Sequence, residues 1–341
     1  MNLIELSEKF PTEIDCIIYA EKIRFGKTVK CCYCNSTNLS ERRKDYRHKC
    51  KDCNKSTSVT VGTNLEGTHV PLKTWFYAVS IITDAKKGLS ALQLQRNIDV
   101  SYPTAFKLYH KIRALMMLEN KELPELDGIV EMDEVYIGGK PRKLNNPYIN
   151  AENTKKAVRI AHAKGKTRKG LDDQIKELNK EGFDFTPNAK HKGKIDISGN
   201  RGRGTNNIPV VGIVERNGNV VAEVMKTLTY DNLKEMVQKY VDMDKSVLIT
   251  DNYTSYNSMK KIISHIKIDH NQLYSYKGVN SNTIESFWAI IERGIMGQYH
   301  SVSPKMLPNY VAEFVYKYNN RNDNEGMFHE LLYKLLKPNS L

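Results

Sequence analysis

Three acidic residues occupy positions from which a strand and a helix could bring them to one point. Asp251 closes the apolar run Val247-Leu248-Ile249-Thr250. Asp133 lies inside Ile129-Val130-Glu131-Met132-Asp133-Glu134-Val135-Tyr136-Ile137. Glu285 follows 34 residues after Asp251, in Asn282-Thr283-Ile284-Glu285-Ser286-Phe287-Trp288. Converging carboxylates can hold two divalent ions about 3.5–4 Å apart and drive in-line displacement at a phosphodiester. Hard oxygen donors suit Mg²⁺ or Mn²⁺ and not Zn²⁺. In a strand, Glu131 and Asp133 share one face while Met132 and Glu134 share the other. Each acid also has a plainer explanation: a solvent-facing strand edge for Asp133, a strand-ending turn for Asp251, a solvated helix face for Glu285.

A second constellation is softer in its chemistry. Cys31-x2-Cys34 and Cys50-x2-Cys53 are two knuckles whose four thiolates complete a tetrahedral shell for a structural Zn²⁺. Cys32 is spaced too closely to Cys34 for a knuckle and reads as a packed or exposed residue. His48 is a spare ligand that four cysteines make unnecessary. Arg42, Arg43, Lys44, Arg47, Lys49 and Lys51 lie between the knuckles, where they either touch phosphates or keep a small module soluble. Cys16 sits within a helical apolar rhythm (Leu6, Phe10, Ile14, Ile17, Ile18) and reads as core.

The elements that must carry these groups follow from periodicity and punctuation. Pro71 opens an apolar helix that ends near Gly88. Ser90 caps a second helix to about Asn97, and Ser101 caps a third to about Leu118. Two helices joined by a short break after a supporting helix fit a helix-turn-helix, with a plain three-helix bundle as the alternative. In the first case Lys107, Lys111 and Arg113 on the third helix are DNA contacts. Beyond Pro124 the pattern turns to strands: Gly128–Ile137, then two apolar runs flanking Asn217-Gly218, a hairpin signal. A helix from Thr229 to about Val241 and a strand Ser246–Thr250 complete an α/β arrangement with a mixed sheet.

Bulk composition agrees with a polyanionic partner. The 341 residues carry a formal charge of +13, which favours nucleic acid ahead of a membrane surface. The segment 140–207 alone has 17 Lys or Arg against 7 Asp or Glu. It reads as an insertion that lies over phosphates, or as a solvated or partly disordered segment, with a short helix at Leu171–Glu181. Neither a membrane-spanning run nor a secretory start is visible, so a soluble intracellular protein is expected.

With these segments in view, the chain resembles the bacterial insertion-sequence transposases of the DDE superfamily, in the ISXO-like group with an N-terminal zinc ribbon. The resemblance is carried by Lys86-Lys87-Gly88-Leu89-Ser90-Ala91-Leu92-Gln93-Leu94, by Glu131-Met132-Asp133-Glu134-Val135-Tyr136-Ile137-Gly138-Gly139-Lys140, and by Thr250-Asp251-Asn252. It continues through Asn282–Gly294 and Tyr299-His300-Ser301-Val302-Ser303-Pro304 to Tyr318-Asn319-Asn320-Arg321. It spans nearly the whole chain outside the insertion. The resemblance implies a ribonuclease-H-like catalytic domain with Asp133, Asp251 and Glu285 as the acidic triad. It also implies cleavage at terminal inverted repeats and strand transfer into double-stranded target DNA. Two positions depart from the family. Glu292 stands where a basic residue is common, so either Arg293 takes over the phosphate contact or activity is altered. Asn280-Ser281-Asn282 replaces a common His-Thr-Asn, and Asn282 is a reserve contact for metal or phosphate.

The expected layout is an N-terminal helical segment (1–28), a zinc ribbon (29–62) and a helix-turn-helix-like DNA-binding region (68–122). A catalytic domain (126–321) with the basic insertion and a C-terminal helix (322–341) follow. Because two DNA ends must be held together, a homo-oligomer is expected. The rival expectations are a transposase-derived DNA-binding regulator without catalysis and a ribonuclease-H-like DNA nuclease.

Overall fold

The computed structural model describes residues 1–42, 44–120, 123–138, 208–251, 253–267 and 280–338. The whole basic insertion 140–207, including the helix expected at Leu171–Glu181, lies outside the described residues, as do Arg43 and Asn252. Residues 1–138 and 208–341 form one compact unit. No described helix is long and apolar enough to cross a membrane.

The apolar rhythm of the first 25 residues becomes two helices, α1 (Leu3–Lys9) and α2 (Glu13–Phe25), broken at Phe10-Pro11. Proline cannot continue a helix without losing a hydrogen bond. α3 (Leu72–Asp84), α4 (Ala91–Ile98) and α5 (Tyr102–Glu119) follow with the punctuation that the sequence supplies. The Ser90 hydroxyl accepts the Gln93 amide at 3.1 Å, and Asp99 makes the left-handed turn out of α4. Glu13 reaches across from α2 and accepts the amides of Leu72 and Lys73, both at 2.8 Å.

Leu6, Ile17, Phe76, Val79, Leu94, Ile112 and Met116 form the core of this helical region. Phe328, Leu331 and Leu335 of the C-terminal helix join them. Burying each such side chain stabilises by about 1.5–3 kcal/mol, so that helix is an integral wall of the N-terminal core.

The sheet runs β3 (Leu126–Ile137), β4 (Ile208–Glu215), β5 (Val220–Val224), β6 (Val241–Thr250) and β7 (Ser264–Lys267), after a two-residue hairpin β1 (His48–Lys49) and β2 (Ser56–Thr57) near the cysteines. Its spatial order is β5-β4-β3-β6-β7. β4 pairs antiparallel with β3 and β5, while β6 pairs parallel with β3 and β7. The Asn217 turn joins β4 to β5 at positive φ, as the Asn-Gly signal requires. α6 (Tyr230–Tyr240) runs straight into β6, which therefore begins five residues before the expected Ser246. The charged Asp242, Asp244 and Lys245 hide that extension in the sequence.

Strand parity divides the sheet into two faces. Val130, Met132, Ile213 and Leu248 face Leu233 and Val237 of α6. Val135, Ile137, Val210 and Val214 face α7 (Asn282–Gly294) and α8 (Leu307–Asn319), through Ile284, Phe287, Trp288, Ile291 and Phe314. A single π turn, Ile295–Tyr299, joins α7 to the segment before α8. The last helix, α9 (Asn324–Leu336), is the one that closes the N-terminal core.

Candidate active site and metal centre

The three acids come from the parallel centre of the sheet and the helix laid over it. Met132 pairs with Thr250 at the end of the β3–β6 ladder, so Asp133 comes next on β3 and Asp251 directly follows the end of β6. Asp133 belongs to the strand face that α7 covers, as parity predicts. Asp251 Oδ1 accepts the Tyr253 amide at 2.9 Å, which turns the chain away from the strand. Glu285 lies in the first turn of α7 and is exposed. The Ser281 hydroxyl donates to Glu285 Oε1 at 2.9 Å.

Electrostatics joins the three. Burial pushes the Asp133 carboxyl up to about 7, and the neighbouring charges of Glu134, Asp251 and Glu285 push the same way. A cation placed among these groups would reverse that shift. The donor set is all oxygen, the chemistry that Mg²⁺ or Mn²⁺ prefers, but among the described residues only the four cysteines bring three or more ligand atoms close together. Glu134 is on the opposite face, where its Oε2 accepts the buried Tyr256 hydroxyl at 2.8 Å. Glu131 shares the Asp133 face but is fully buried, and Arg216, Thr283 and Ile284 donate to it.

The four cysteines form the second centre. Their sulfurs all lie within 4.8 Å of one another, with Cys31–Cys53 at 3.7 Å and Cys34–Cys50 at 3.6 Å. A tetrahedral Zn²⁺ with bonds of about 2.3 Å would set its sulfurs about 3.8 Å apart, whereas a disulfide needs about 2.05 Å. This group could therefore bind zinc. Both knuckles close alike: the Cys31 amide donates to Ser36 O and the Cys50 amide to Lys55 O, each at 2.9 Å. Asn35 and Asn54 supply the left-handed turn after each second cysteine. Cys32 points elsewhere, its sulfur 3.5 Å from the Ser58 carbonyl. His48 is held by Ser40 O at 2.9 Å and Glu21 at 3.2 Å.

Residues 183–319 match the ISXO2-like transposase domain. Over that stretch, 137 of the 341 residues, the chain is similar to the ISXO2-like transposases. The matched stretch contains Asp251 and Glu285, stops short of Asp133, and begins inside the segment expected to be an insertion. An uncharacterised protein in transposable element ISH50 of Halobacterium salinarum is 33% identical over 131 residues, covering 37% of this chain and 43% of that protein. The chain thus spans less than half the length of that relative. Among solved structures, a pre-cleavage Mos1 transpososome aligns over 76% of this chain and 74% of its own, at 12% identity and a TM-score of 0.24.

Elsewhere in the chain, the basic residues singled out from sequence separate. Lys107 is exposed and Lys111 partly so, whereas Arg113 is 2% exposed and points the other way on α5. Its Nε donates to Glu313 at 2.7 Å, and its guanidinium stacks 3.6 Å from the Tyr109 ring centroid and 3.8 Å from that of Tyr310. Six residues from Lys107, about 600° of helical rotation at roughly 100° per residue, put Arg113 on another face. The expectation of a DNA contact at Arg113 is therefore corrected. Arg42 is likewise engaged, pairing with the buried Glu21. Arg293, Glu292 and Asn282 are exposed on α7.

Several residues of this architecture escaped the sequence reading. Arg216 follows β4 immediately before the Asn217-Gly218 turn, and only a buried acid on β3 would have signalled the need for it. Glu313, Lys317, Tyr109 and Tyr299 form a buried network with Arg113. Nothing in their spacing announces that α5 and α8 meet.

Proposed function

We propose that this chain is a DNA transposase of a bacterial insertion sequence, with a ribonuclease-H-like catalytic domain whose acids are Asp133, Asp251 and Glu285. The observation that supports the reading is that Asp133 lies on β3 beside the end of β6, which Asp251 directly follows, with Glu285 in the first turn of the helix on the Asp133 face. The strand order, three antiparallel strands with two parallel ones beyond the first, supports the ribonuclease-H-like assignment. The match to the ISXO2-like domain and the relative from a transposable element support the transposase reading.

Asp133, Asp251 and Glu285 would hold Mg²⁺ or Mn²⁺. When bound, the ions would activate a water or DNA 3′-hydroxyl and stabilise the leaving oxygen. The chain's own work is to hold three oxygen donors on a rigid sheet and helix, and to keep Asp133 in a site dry enough to favour charge neutralisation. Arg293, next to Glu292, lies on the same helix as Glu285 and would contact a phosphate, with Asn282 at the helix start. α4 and α5 would act as the helix-turn-helix, with Lys107 and Lys111 contacting double-stranded DNA. Cys31, Cys34, Cys50 and Cys53 would hold a structural Zn²⁺. A homo-oligomer would bring two transposon ends together.

Strand cleavage and strand transfer on the terminal inverted repeats test this reading. Mg²⁺-dependent products that vanish in Asp133→Asn, Asp251→Asn and Glu285→Gln are expected. DNA binding with no metal-dependent product would favour the regulator, and cleavage without joining would favour the nuclease.

A further inference from the structure

Glu131 is an acidic residue with no exposure, and its carboxylate is saturated. Oε1 accepts from Arg216 Nε at 2.7 Å and from the Thr283 hydroxyl at 3.1 Å. Oε2 accepts from the backbone amides of Thr283 at 2.8 Å and Ile284 at 3.0 Å. A carboxylate offers about four acceptor positions, so these four donors leave none for a metal ion. Glu131 is thus no ligand, although it shares the acidic strand face with Asp133.

Its partners say what it does. The amides of Thr283 and Ile284 belong to the first turn of α7, where no acceptor exists inside the helix. An anion at that end is also favoured by the helix dipole. Arg216 extends the clamp, donating through Nη2 to the Asn280 carbonyl at 2.7 Å and its side-chain oxygen at 3.3 Å. The lead-in to α7 and its first turn are both tied to one carboxylate on β3.

We propose that Glu131 and Arg216 are positioning residues for the metal site, locking α7 to β3 so that Glu285 is set opposite Asp133. The inference rests on the reading of Asp133 and Glu285 as metal ligands. Asp133 follows Glu131 by two residues on the same strand face, about 6.6 Å along the strand. Glu285 follows Ile284 directly. Both acids are therefore one short, regular step from the same clamp. A one-residue slip of α7 would swing Glu285 by about 100° around the helix axis. The apolar contacts of Ile284, Phe287 and Trp288 resist such a slip only by shape, whereas two amides on a fixed carboxylate resist it by direction. Burying a charged pair here contributes specificity of register more than stability.

Calorimetric titration of Mn²⁺ into the intact chain, with hydrogen exchange at the amides of Thr283, Ile284 and Glu285, tests the proposal. Glu131→Gln puts a donor where an acceptor was. It is expected to weaken metal binding about 10- to 100-fold, as loss of a group that orients a ligand does, and to speed exchange at those amides. Arg216→Lys cannot bridge Glu131 and Asn280 together and should shift both readouts in the same direction by less. It also serves if Glu131→Gln does not fold. Unchanged metal affinity in these variants, with binding abolished in Asp133→Asn, would overturn the positioning role. Wild-type affinity in Asp133→Asn would instead sink the metal-site reading itself, and the inference with it.

Discussion

Asp133 lies directly opposite Gly212 in the β3–β4 ladder, and the Trp288 ring fills the space that a side chain at Gly212 would need. A Cβ there would sit 2.7 Å from two Trp288 ring carbons and 3.0 Å from Ile284 Cδ1. Trp288 is one turn from Glu285 on α7. The close approach of this helix to the sheet, beside the acid it must face, thus depends on a missing side chain.

Gly212→Ala is accordingly expected to destabilise the chain by about 1–3 kcal/mol, the usual cost of overpacking. It should also displace α7 and cut metal-dependent cleavage by more than it weakens DNA binding. Urea denaturation and single-turnover cleavage would measure the two effects. A variant matching the wild type in both would show that α7 does not depend on this contact.

The position of Asp133 gives a pH signature without metal. Its carboxyl is held up at about 7 by burial and by the charges of Glu134, Asp251 and Glu285. A raised carboxyl contributes stability below its unfolded value near 4, and that contribution is lost as pH rises through about 7. Asp133→Asn should therefore stabilise the metal-free chain at pH 8 by up to about 4 kcal/mol, the rise from near 4 to about 7 being roughly three tenfold changes in proton affinity at about 1.4 kcal/mol each. The gain should shrink to nothing near pH 4. Added Mg²⁺ should raise the melting temperature of the wild type and not that of the variant. Equal melting curves at pH 8 would contradict the crowding of charge around Asp133.

The sequence shows the placement of its acids better than it shows their anchoring. A strand-terminating Asp251, the parity of Glu131 and Asp133, and the apolar stripe of Ile284, Phe287, Trp288 and Ile291 are local patterns, and each reappears in the structure. What stayed hidden depends on contacts between distant segments. Glu131 looked like a possible surface acid until Arg216 and the start of α7 came to it from 85 and about 150 residues away. Arg113 reads as a DNA contact only if its helix is the third of a helix-turn-helix, beside Lys107 and Lys111. Its burial depends on Glu313, 200 residues later. The part of the ISXO2-like match before residue 208 lies where composition suggested only a basic insertion.

Arg113 and Lys107 separate the two roles cleanly. Burial alone would raise the Glu313 carboxyl, but the charges of Lys317 and Arg113 overcome it and hold the group at about 2. Its stabilising contribution is therefore present above the usual carboxylate range and lost as pH falls through about 2. Removing one member of such a buried set typically costs about 3–5 kcal/mol, so Arg113→Met and Glu313→Gln should each lower stability at pH 7 by that order. Lys107→Ala should leave stability within about 0.5 kcal/mol, as for an exposed surface position. It should also reduce the salt dependence of DNA binding by roughly one phosphate contact. Denaturation curves and binding isotherms at several salt concentrations distinguish them. A stable Arg113→Met with a reduced salt slope would restore Arg113 to the DNA surface.

The cysteine centre makes the remaining prediction. Cys31, Cys34, Cys50 and Cys53 bring four sulfurs to zinc-compatible spacing, while Cys32 and Cys16 stand apart from them. The purified chain is expected to hold one Zn²⁺, measured by a colorimetric assay after denaturation. Cys34→Ser or Cys50→Ser should lose it, whereas Cys32→Ser should keep it. Because Glu21 on α2 holds both Arg42 and His48 of the ribbon, chelation should do more than free two knuckles. Hydrogen exchange should quicken across β1 and β2 and the α2 face that carries Glu21, while α3 and α9, packed together in the apolar core, stay protected. Retention of zinc in Cys34→Ser, or its loss in Cys32→Ser, would mean that a different ligand set holds the metal.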